Sequence, residues 1–572
     1  MMSLDKMLIK TKKTLFFLLF NFVFLFLIYF FRDSFKFNSI IITFYFGVFY
    51  YFYNLRLPQQ ILNLFEKVKR IKNKKTLSYF LLLTIIFLII IFQNSLINFE
   101  TMDWDVSTYL VVANDIGNGN LPYENQWDDK GPVLYFFFYL LSTIANNNFL
   151  LFKLLSDLVI IMISINLFYL IYLMIKKDNI VTPFIGTIVY VLMMALPWAN
   201  VEYSEVYALF FISFSLIIFH LNKNKKINII ISGILFGLST LTNQGAGIFI
   251  FAYLLLIYFY KKNIKDVIYF CLGVSLPHLF FLFLYIFNNS IDIYLTTLFS
   301  IPLSYSSSTS FNIFIEFKNF IRDLYTFNIF FFMIISFLLV IKIFEYKDYI
   351  FKENNKIQYN NDLFLISSIL FYLVASTGYK HHLLFFFFFI SMSVISLRGV
   401  RTEIFLFIIV FVGSLSIFPN YYQESKNNLL NLETVYESYP IRKAAIEIQK
   451  NIDKNNYTVL ALDYQILNYY LDKPNLSKII HPTNYTEESI LKELRKINYI
   501  TKREIDYLLE DKPDVIICSG LTNEIIDNFN CEVTDYFQDY KKLDLDQYFN
   551  DPNRSYYKDV YRTLYVFIKS NS

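Results

Sequence analysis

Acidic side chains are concentrated in one stretch between two apolar runs, residues 98–148, where Lys130 is their only basic partner. A carboxylate can accept the proton of a hydroxyl as a new bond forms, and a fixed cation can stabilise a developing negative charge. The aspartates Asp103 and Asp105 stand two residues apart, a spacing that does not reveal which of them would be the base. Connections this long are usually functional. We therefore expect the chemistry of this protein in loop 98–148.

The same residues also fit a structural role. Asp105 stands where a helix could begin, because the apolar residues of segment 106–116 recur on one face and Gly117 and Gly119 end the pattern. An aspartate at that position would be the helix N-cap. Pro132 and the apolar run after it predict a second helix that begins with proline and lies at the membrane interface. Since capping and catalysis are compatible, both roles stay open for Asp105.

The composition indicates that most of the chain lies in a lipid bilayer. The 572 residues are 56% hydrophobic, 20% aromatic and only 17% charged, with a mean hydropathy of +0.43. A soluble chain would carry about a quarter charged residues. The net charge of +4 comes from scattered lysines, which argues against a nucleic-acid partner. The three cysteines show no metal-binding spacing, and a bond between Cys518 and Cys531 is one option.

Apolar runs long enough for membrane spans recur along the chain. We count about thirteen, at residues 14–31, 39–53, 77–97, 149–175, 180–197, 206–221, 227–242, 246–260, 266–287, 324–344, 363–378, 383–398 and 403–419. The first run lacks a cleavage site and is followed by others, so it is predicted to be an anchor. The phenylalanine run Phe385 to Phe389 is interpreted as lipid-facing. The fold class is therefore a polytopic α-helical membrane protein.

The loops fix the orientation, because lysine and arginine are retained on the cytoplasmic side. With the N-terminus inside, roughly two dozen basic residues lie inside and roughly six outside, and the bias holds loop by loop. This orientation places loop 98–148 and everything beyond residue 420 outside the cytoplasm. The protein is predicted to be a multi-pass protein of the cell (inner) membrane, with an extracytoplasmic or periplasmic C-terminus.

Beyond residue 420 the sequence changes from phenylalanine-rich runs to ordinary mixed composition. Short apolar runs at 457–462, 514–518 and 564–568 are typical of strands, and amphipathic stretches at 487–497 and 504–510 are typical of helices. This alternation predicts a small α/β domain. The expected domains are two extra N-terminal helices and a basic cytoplasmic loop (1–76), a transmembrane catalytic domain (77–419) and a soluble extracytoplasmic domain (420–572).

Several motifs in fixed order resemble one family. Asp105-Val-Ser-Thr-Tyr109, then Gly119-Asn-Leu-Pro-Tyr123, then Trp127-Asp-Asp-Lys-Gly-Pro132 resemble the first large external loop of GT-C-type glycosyltransferases. The likeness is greatest to the bacterial branch related to protein-mannosyltransferases and aminoarabinose transferases. Further along, Ser204-Glu205, Leu241-Thr-Asn-Gln-Gly245 and Gly378-Tyr-Lys-His381 resemble later patches of such enzymes. The charge-derived orientation places each of these patches outside.

Two departures from the family pattern stand out. Two spans precede the one that normally leads into the catalytic loop, and their purpose is open. Asn243 stands in the polar break where relatives often have a basic residue, which puts a phosphate-binding role of that patch in doubt.

The resemblance implies roles for individual residues. Asp105 matches the catalytic base, while Asp103 is either a helper that raises the pKa of that base or an ordinary loop residue. Lys130, Lys380 and His381 are candidates to stabilise a leaving phosphate, with a salt bridge from Lys130 to Asp128 or Asp129 as the structural alternative. For His381 the alternative is an interfacial histidine bonded to water.

Three other positions complete the candidate substrate site. Glu205 could position the donor sugar or the acceptor, and Asp128 and Tyr123 are further candidates for substrate binding. His382 has no match to the family pattern and is interpreted as structural. The remaining histidines, His220, His278 and His481, are dispersed and suggest no zinc cluster.

The resemblance implies transfer of a sugar, with inversion, from a polyprenyl-phosphate donor to an extracytoplasmic glycan, lipid or protein. We expect no required cofactor, with a divalent metal ion as the alternative. A lipid-linked sugar flippase or transporter is the main rival, although transporters concentrate ionisable groups near the membrane midplane. A surface-polysaccharide polymerase or ligase is a third hypothesis.

Overall fold

The computed structural model describes residues 80–89, 100–195, 199–221, 225–308, 312–342, 359–396, 406, 426–503, 506–548 and 564–570, with short gaps inside these ranges. By internal contacts the chain divides into two compact units, and all the described residues belong to the one formed by Lys69–Arg398 and Leu406–Ser572. The predicted spans at 14–31 and 39–53 lie outside the described residues, as do most of those at 77–97 and 403–419 and part of the one at 324–344.

Helices dominate the part of the chain before residue 400. In chain order they are α1 (Trp104–Gly117), α2 (Pro132–Ile144), α3 (Phe149–Ile175), α4 (Val181–Met194), α5 (Ser204–Leu221), α6 (Lys226–Thr240), α7 (Ile248–Lys261), α8 (Ile264–Phe287), α9 (Ile291–Leu295), α10 (Ile301–Ser308), α11 (Ile313–Phe327), α12 (Tyr359–Ala375) and α13 (Leu384–Met392). A π-helical turn, Thr296–Ser300, joins α9 to α10. Short 3-10 segments, Gln244–Gly247, Lys380–Leu383 and Ser393–Ser396, interrupt the later helices.

Most of the predicted spans that fall on described residues are helices. Three of them, Phe149–Ile175, Ser204–Leu221 and Ile264–Phe287, are long and apolar enough to cross a bilayer. Shorter apolar helices cover most of the other predicted runs in this region. The count of about thirteen spans and the domain boundaries at residues 76 and 419 stay predictions.

One expectation about the surface of this helical region is wrong. The side chains of Phe385 to Phe389 are 0–1% exposed and pack inside the protein. Phe385 lies against Phe249, with ring centroids 4.9 Å apart, and Phe386 lies against Phe320 at 5.2 Å. An apolar run carries no information on whether lipid or protein surrounds it, and here α13 is enclosed by other helices.

The C-terminal α/β region, residues 432–569, has the predicted alternation. It contains α14 (Leu432–Glu437), α15 (Pro440–Lys450), β1 (Val459–Ala461), α16 (Ile466–Leu471), α17 (Glu488–Lys496), β2 (Val515–Ser519), β3 (Tyr540–Lys542) and β4 (Leu564–Lys569), with a 3-10 segment at Pro482–Tyr485 and a π-helical turn at Tyr507–Asp511. Four strands form one sheet in the order β1-β2-β4-β3. β1 and β2 are parallel, and β4 is antiparallel to both β2 and β3. Cys518 at the end of β2 is bonded to Cys531.

The C-terminal α/β region packs directly on loop 98–148. Helix α16 lies against α1, and the hydroxyls of Ser142 and Tyr469 are 2.9 Å apart. The backbone of Trp127 forms a short parallel bridge to segment 478–480, because its N–H donates to Lys478 O and its carbonyl accepts from Ile480 N. These contacts fix the loop and the C-terminal α/β region as one packed assembly.

Candidate functional site

Asp103 caps the helix that carries the acidic pair. Its carboxylate accepts from the backbone N–H groups of Asp105, at 3.0 Å, and Val106, at 3.4 Å. The other oxygen accepts a hydrogen bond from Tyr203 Oη at 2.7 Å. The predicted N-cap at Asp105 is therefore displaced by two residues. A capping carboxylate with both oxygens engaged is less free to take a substrate proton than its neighbour.

Asp105 occupies the first turn of α1, and its partner comes from the C-terminal α/β region. His481 Nε2 lies 3.1 Å from Asp105 Oδ1. No hydrogen bond among the described residues engages the second oxygen, Oδ2, and the residue is 18% exposed in its side chain. Asp105 thus keeps one carboxylate oxygen for a ligand while the other is held by a histidine.

The two aspartates differ in acidity. Burial and the nearby charge of Asp105 raise the pKa of Asp103 to about 6, against the opposing hydrogen bond from Tyr203. Burial alone would raise the pKa of Asp105 as well, but the hydrogen bond from His481 and the charges of Lys130 and His481 lower it strongly. The sequence left two roles open for Asp103, a helper that raises the pKa of Asp105 or an ordinary loop residue. The charge of Asp105 instead raises the pKa of Asp103, so Asp105 loses its proton at a lower pH than Asp103 does.

The motif Asp128-Asp-Lys130 lies beside this pair. Asp128 is 1% exposed and accepts a hydrogen bond from Tyr135 Oη at 2.8 Å, while its Oδ1 has no partner among the described residues. Burial and the charge of Asp129 raise the pKa of Asp128 to about 6. Lys130 Nζ forms an ion pair with Asp129 Oδ1 at 2.9 Å. The structural alternative for Lys130 is thus present, and Asp129 is the partner.

Gly131 allows this loop to touch the polar break between α6 and α7. A Cβ at Gly131 would lie 2.1 Å from the carbonyl oxygen of Leu241, so no other residue fits there without movement. The same carbonyl accepts from Val133 N at 3.0 Å, and Gln244 Nε2 donates to Asp129 O at 2.6 Å. Two motifs that lie about a hundred residues apart in the sequence therefore form one surface.

A second polar cluster combines Glu205 with two histidines. The Nε2 atoms of His381 and His382 lie 3.9 and 3.8 Å from Glu205 Oε1. Glu205 is 2% exposed and also accepts from Asn243 Nδ2 at 3.2 Å. One carboxylate and two imidazoles, with ligand atoms within 4.8 Å of one another, could hold a divalent ion such as Zn²⁺.

Tyr203 connects the two clusters. Its hydroxyl donates to Asp103, and its ring stacks on His381 with centroids 4.4 Å apart. The acidic pair, the Asp128 motif and the Glu205 cluster are thus parts of one site, built from residues far apart in the sequence.

Two of the candidate substrate-binding residues, Tyr123 and Lys380, lie in different environments from each other. Tyr123 is fully buried, adopts a positive φ of 75° and donates its hydroxyl to Lys130 O at 2.5 Å, so its side chain supports the loop from within. Lys380 opens the 3-10 segment that carries His381 and is partly exposed.

The structure also adds residues that we did not select from the sequence. His481 was one of the dispersed histidines, His382 was interpreted as structural, and Tyr203 was not considered. His382 stands next to a selected residue, so proximity to His381 was an available signal. Nothing in the local sequence of His481 signals its contact with Asp105, 376 positions away.

The site is therefore a carboxylate, histidine and lysine cluster between the loops of a helical, largely apolar protein and an α/β region. No protein-family model and no curated protein matches the chain. Among solved structures, the chain is similar to the Archaeoglobus fulgidus oligosaccharyltransferase in complex with Zn and sulfate, with 12% identity and a TM-score of 0.41. The match covers 76% of this chain and 67% of that chain. A likeness this distant establishes neither family nor activity.

Proposed function

We propose that this protein is an inverting glycosyltransferase of the GT-C type, which transfers a sugar from a polyprenyl-phosphate donor to an extracytoplasmic acceptor. One observation carries the proposal. The segments that form the site through contacts to Asp103, Asp105, Asp129 and Glu205 come from loop 98–148, from residues 203–205, 243–244 and 379–382, and from the C-terminal α/β region. The charge bias of the loops independently predicts that all of these segments lie on the outer side of the membrane.

The proposed reaction is a single in-line displacement. The acceptor oxygen forms a bond to the anomeric carbon, the bond from that carbon to the phosphate oxygen breaks, and the phosphate leaves with the electron pair. Asp105 takes the acceptor proton on Oδ2, the oxygen that no described residue engages. Glu205 and Asp128 are proposed to orient substrate hydroxyls.

Lys130 is the proposed cation for the leaving phosphate. Its side chain is 21% exposed and that of Asp129 is 37% exposed, so both partners of this ion pair can be reached from solvent. A lipid phosphate can therefore compete with Asp129 for Lys130. Lys380 and His381 are further candidates at the same rim.

The test is turnover by the purified protein with a panel of polyprenyl-phosphate sugars and short acceptors. The proposal predicts a glycosylated acceptor and free polyprenyl phosphate in equal amounts. The flippase alternative predicts the opposite result in sealed vesicles, namely movement of the intact lipid-linked sugar with no released polyprenyl phosphate.

A metal requirement is tested separately. We expect turnover to persist after EDTA treatment, since the proposed displacement uses protein groups for the proton and for the phosphate charge. The alternative is a divalent ion on Glu205, His381 and His382. In that case EDTA abolishes turnover, Zn²⁺ or Mn²⁺ restores it, and His382→Ala lowers the metal content of the purified protein.

A further inference from the structure

The contact between His481 and Asp105 joins the C-terminal α/β region to the proposed base. Both imidazole nitrogens are engaged, since Nε2 faces Asp105 Oδ1 at 3.1 Å and Nδ1 lies 2.8 Å from Thr483 Oγ1. The side chain of His481 is 14% exposed. A histidine with two directed partners and little freedom holds its carboxylate in one orientation.

The backbone next to His481 is held by hydrogen bonds to the early loop and within the C-terminal α/β region. The carbonyl of Trp127 in the early loop accepts from Ile480 N, the residue just before His481. Within the C-terminal α/β region, the hydroxyl of Tyr485 donates to the carbonyls of Ala461 and Ile480. The position of the imidazole therefore follows from contacts to the early loop and to the sheet, and not from the bond to Asp105 alone.

The neighbouring residue Trp104 is held by the same region. Its indole Nε1 donates to Asp463 Oδ1 at 2.7 Å, and Asp463 also accepts from Ser519 Oγ. The rings of Trp104 and His481 meet edge to face, with centroids 6.0 Å apart. The C-terminal α/β region thus contacts both residues that follow the N-cap Asp103.

We propose that the C-terminal α/β region completes the catalytic centre, with His481 as a positioning residue that holds Asp105 through Oδ1 and leaves Oδ2 for the acceptor hydroxyl. This inference rests on the proposed function. When the acceptor proton passes to Oδ2, the new C–O bond forms and the phosphate departs with its electron pair, while His481 keeps its own proton.

The charge state of this pair follows from its surroundings. Burial would lower the pKa of His481, but the hydrogen bond to Asp105 and the charges of Asp105, Asp128 and Asp129 outweigh it and raise the pKa. The groups whose charges act on Asp105, or that respond to its charge, are Asp103, Tyr109, Asp128, Lys130, Tyr203, Tyr379, His381, His382 and His481. A protonated His481 beside an ionised Asp105 makes a neutral pair, which becomes positive as the negative phosphate departs.

The test compares the full-length variants His481→Gln and His481→Ala with His278→Gln, a matched histidine whose Nε2 is bonded to Thr240 outside the site. Without the imidazolium the pKa of Asp105 rises, so the acid limb of the kcat/KM profile moves to higher pH by about one unit or more in both His481 variants. Turnover at neutral pH falls about 10- to 100-fold in His481→Ala. Glutamine can still donate one hydrogen bond, so His481→Gln retains more activity. His278→Gln leaves both the profile and turnover unchanged.

The outcomes separate this inference from the proposed function. Wild-type protein without transfer from any donor would overturn the function itself. Active wild type, together with a His481→Ala variant that unfolds at the wild-type temperature and keeps the wild-type acid limb, would overturn only the role of His481. If His481→Ala does not fold, the pH profile of His481→Gln decides in the same way.

Discussion

At the scale of single residues, the site contains three aspartates whose pKa values differ. Asp103 and Asp128 are buried and shifted to a pKa of about 6, while Asp105 is held ionised by His481 and Lys130. Environments that separate the pKa values of neighbouring acids are how proteins assign proton-transfer roles. The spacing of Asp103 and Asp105 in the sequence could not reveal this difference, because burial and the partner His481 are properties of the folded chain.

Asp128→Asn tests how much the buried carboxylate of Asp128 lowers the free energy of unfolding at neutral pH. The folded state raises the pKa of Asp128 from 3.8 to about 6, so it binds more protons than the unfolded state between these values, and wild-type stability falls as the pH rises through this window. Asparagine does not titrate. Relative to wild type, Asp128→Asn should gain about 2–3 kcal/mol on going from pH 4 to pH 7.5.

Thermal unfolding in detergent at several pH values measures this gain. Asp506→Asn is a suitable control, because Asp506 lies in the C-terminal α/β region and the hydrogen bonds of Arg503 lower its pKa. The stability difference for this control should change little above pH 4. A difference between Asp128→Asn and wild type that stays constant with pH would contradict the buried, shifted carboxylate.

At the scale of elements, hydropathy and periodicity predicted much of the fold. The runs at 149–175 and 266–287 are the helices Phe149–Ile175 and Ile264–Phe287, and three predicted strands correspond to β1, β2 and β4. Strand β3 was missed because its three residues, Tyr540–Lys542, are polar, with both lysines exposed, and show no apolar alternation. The burial of Phe385 to Phe389 was missed because hydropathy does not distinguish lipid from protein contacts.

The close approach of Gly131 to Leu241 gives a prediction for these elements. In Gly131→Ala the added Cβ would meet a backbone carbonyl, which cannot rotate away, and overpacking of this kind costs about 1–3 kcal/mol. We expect a lower unfolding temperature and reduced turnover, because the added methyl group would push α2 and the polar break apart. The measurements are thermal unfolding and steady-state activity in the same detergent.

Gly247→Ala is the matched control, because an added Cβ at Gly247 meets no atom within 4 Å. Gly247 ends the 3-10 segment that contains Gln244, so the control lies in the same polar break. Equal behaviour of the two variants would show that the contact between Gly131 and Leu241 is not needed.

At the scale of the whole molecule, the site joins two parts of different composition. The apolar helical region supplies Tyr203, Glu205 and the histidines of the 3-10 segment, and the C-terminal α/β region supplies His481 and Asp463. The sequence predicted both parts, with an external location for the C-terminal α/β region and for the loops of the helical region that carry the site. It could not predict that they meet at Asp105, because contacts over more than 350 positions leave no periodic pattern.

Trp104→Phe tests this connection without changing a charged group. The variant keeps an aromatic side chain, although a smaller one, but removes the donor to Asp463, and a buried acceptor that loses a partner costs about 1–3 kcal/mol. We expect turnover to fall about 10-fold, because the first turn of α1 loses an anchor. Tyr540→Phe removes one hydrogen bond to Pro513 O within the C-terminal α/β region, away from the site, and should retain wild-type turnover. Equal turnover of both variants would argue against the connection.

The central claim is that Asp105 is the base of a glycosyl transfer, and turnover of Asp105→Asn tests it most directly. A general base contributes about 10²- to 10⁴-fold, so the variant should lose activity by this factor while it folds normally. Asp115→Asn, in the same helix but bonded to Asn120 at its far end, should stay near the wild-type rate. Asp103→Asn, which can still cap α1, should lose less activity than Asp105→Asn. Wild-type turnover by a folded Asp105→Asn protein would contradict the account.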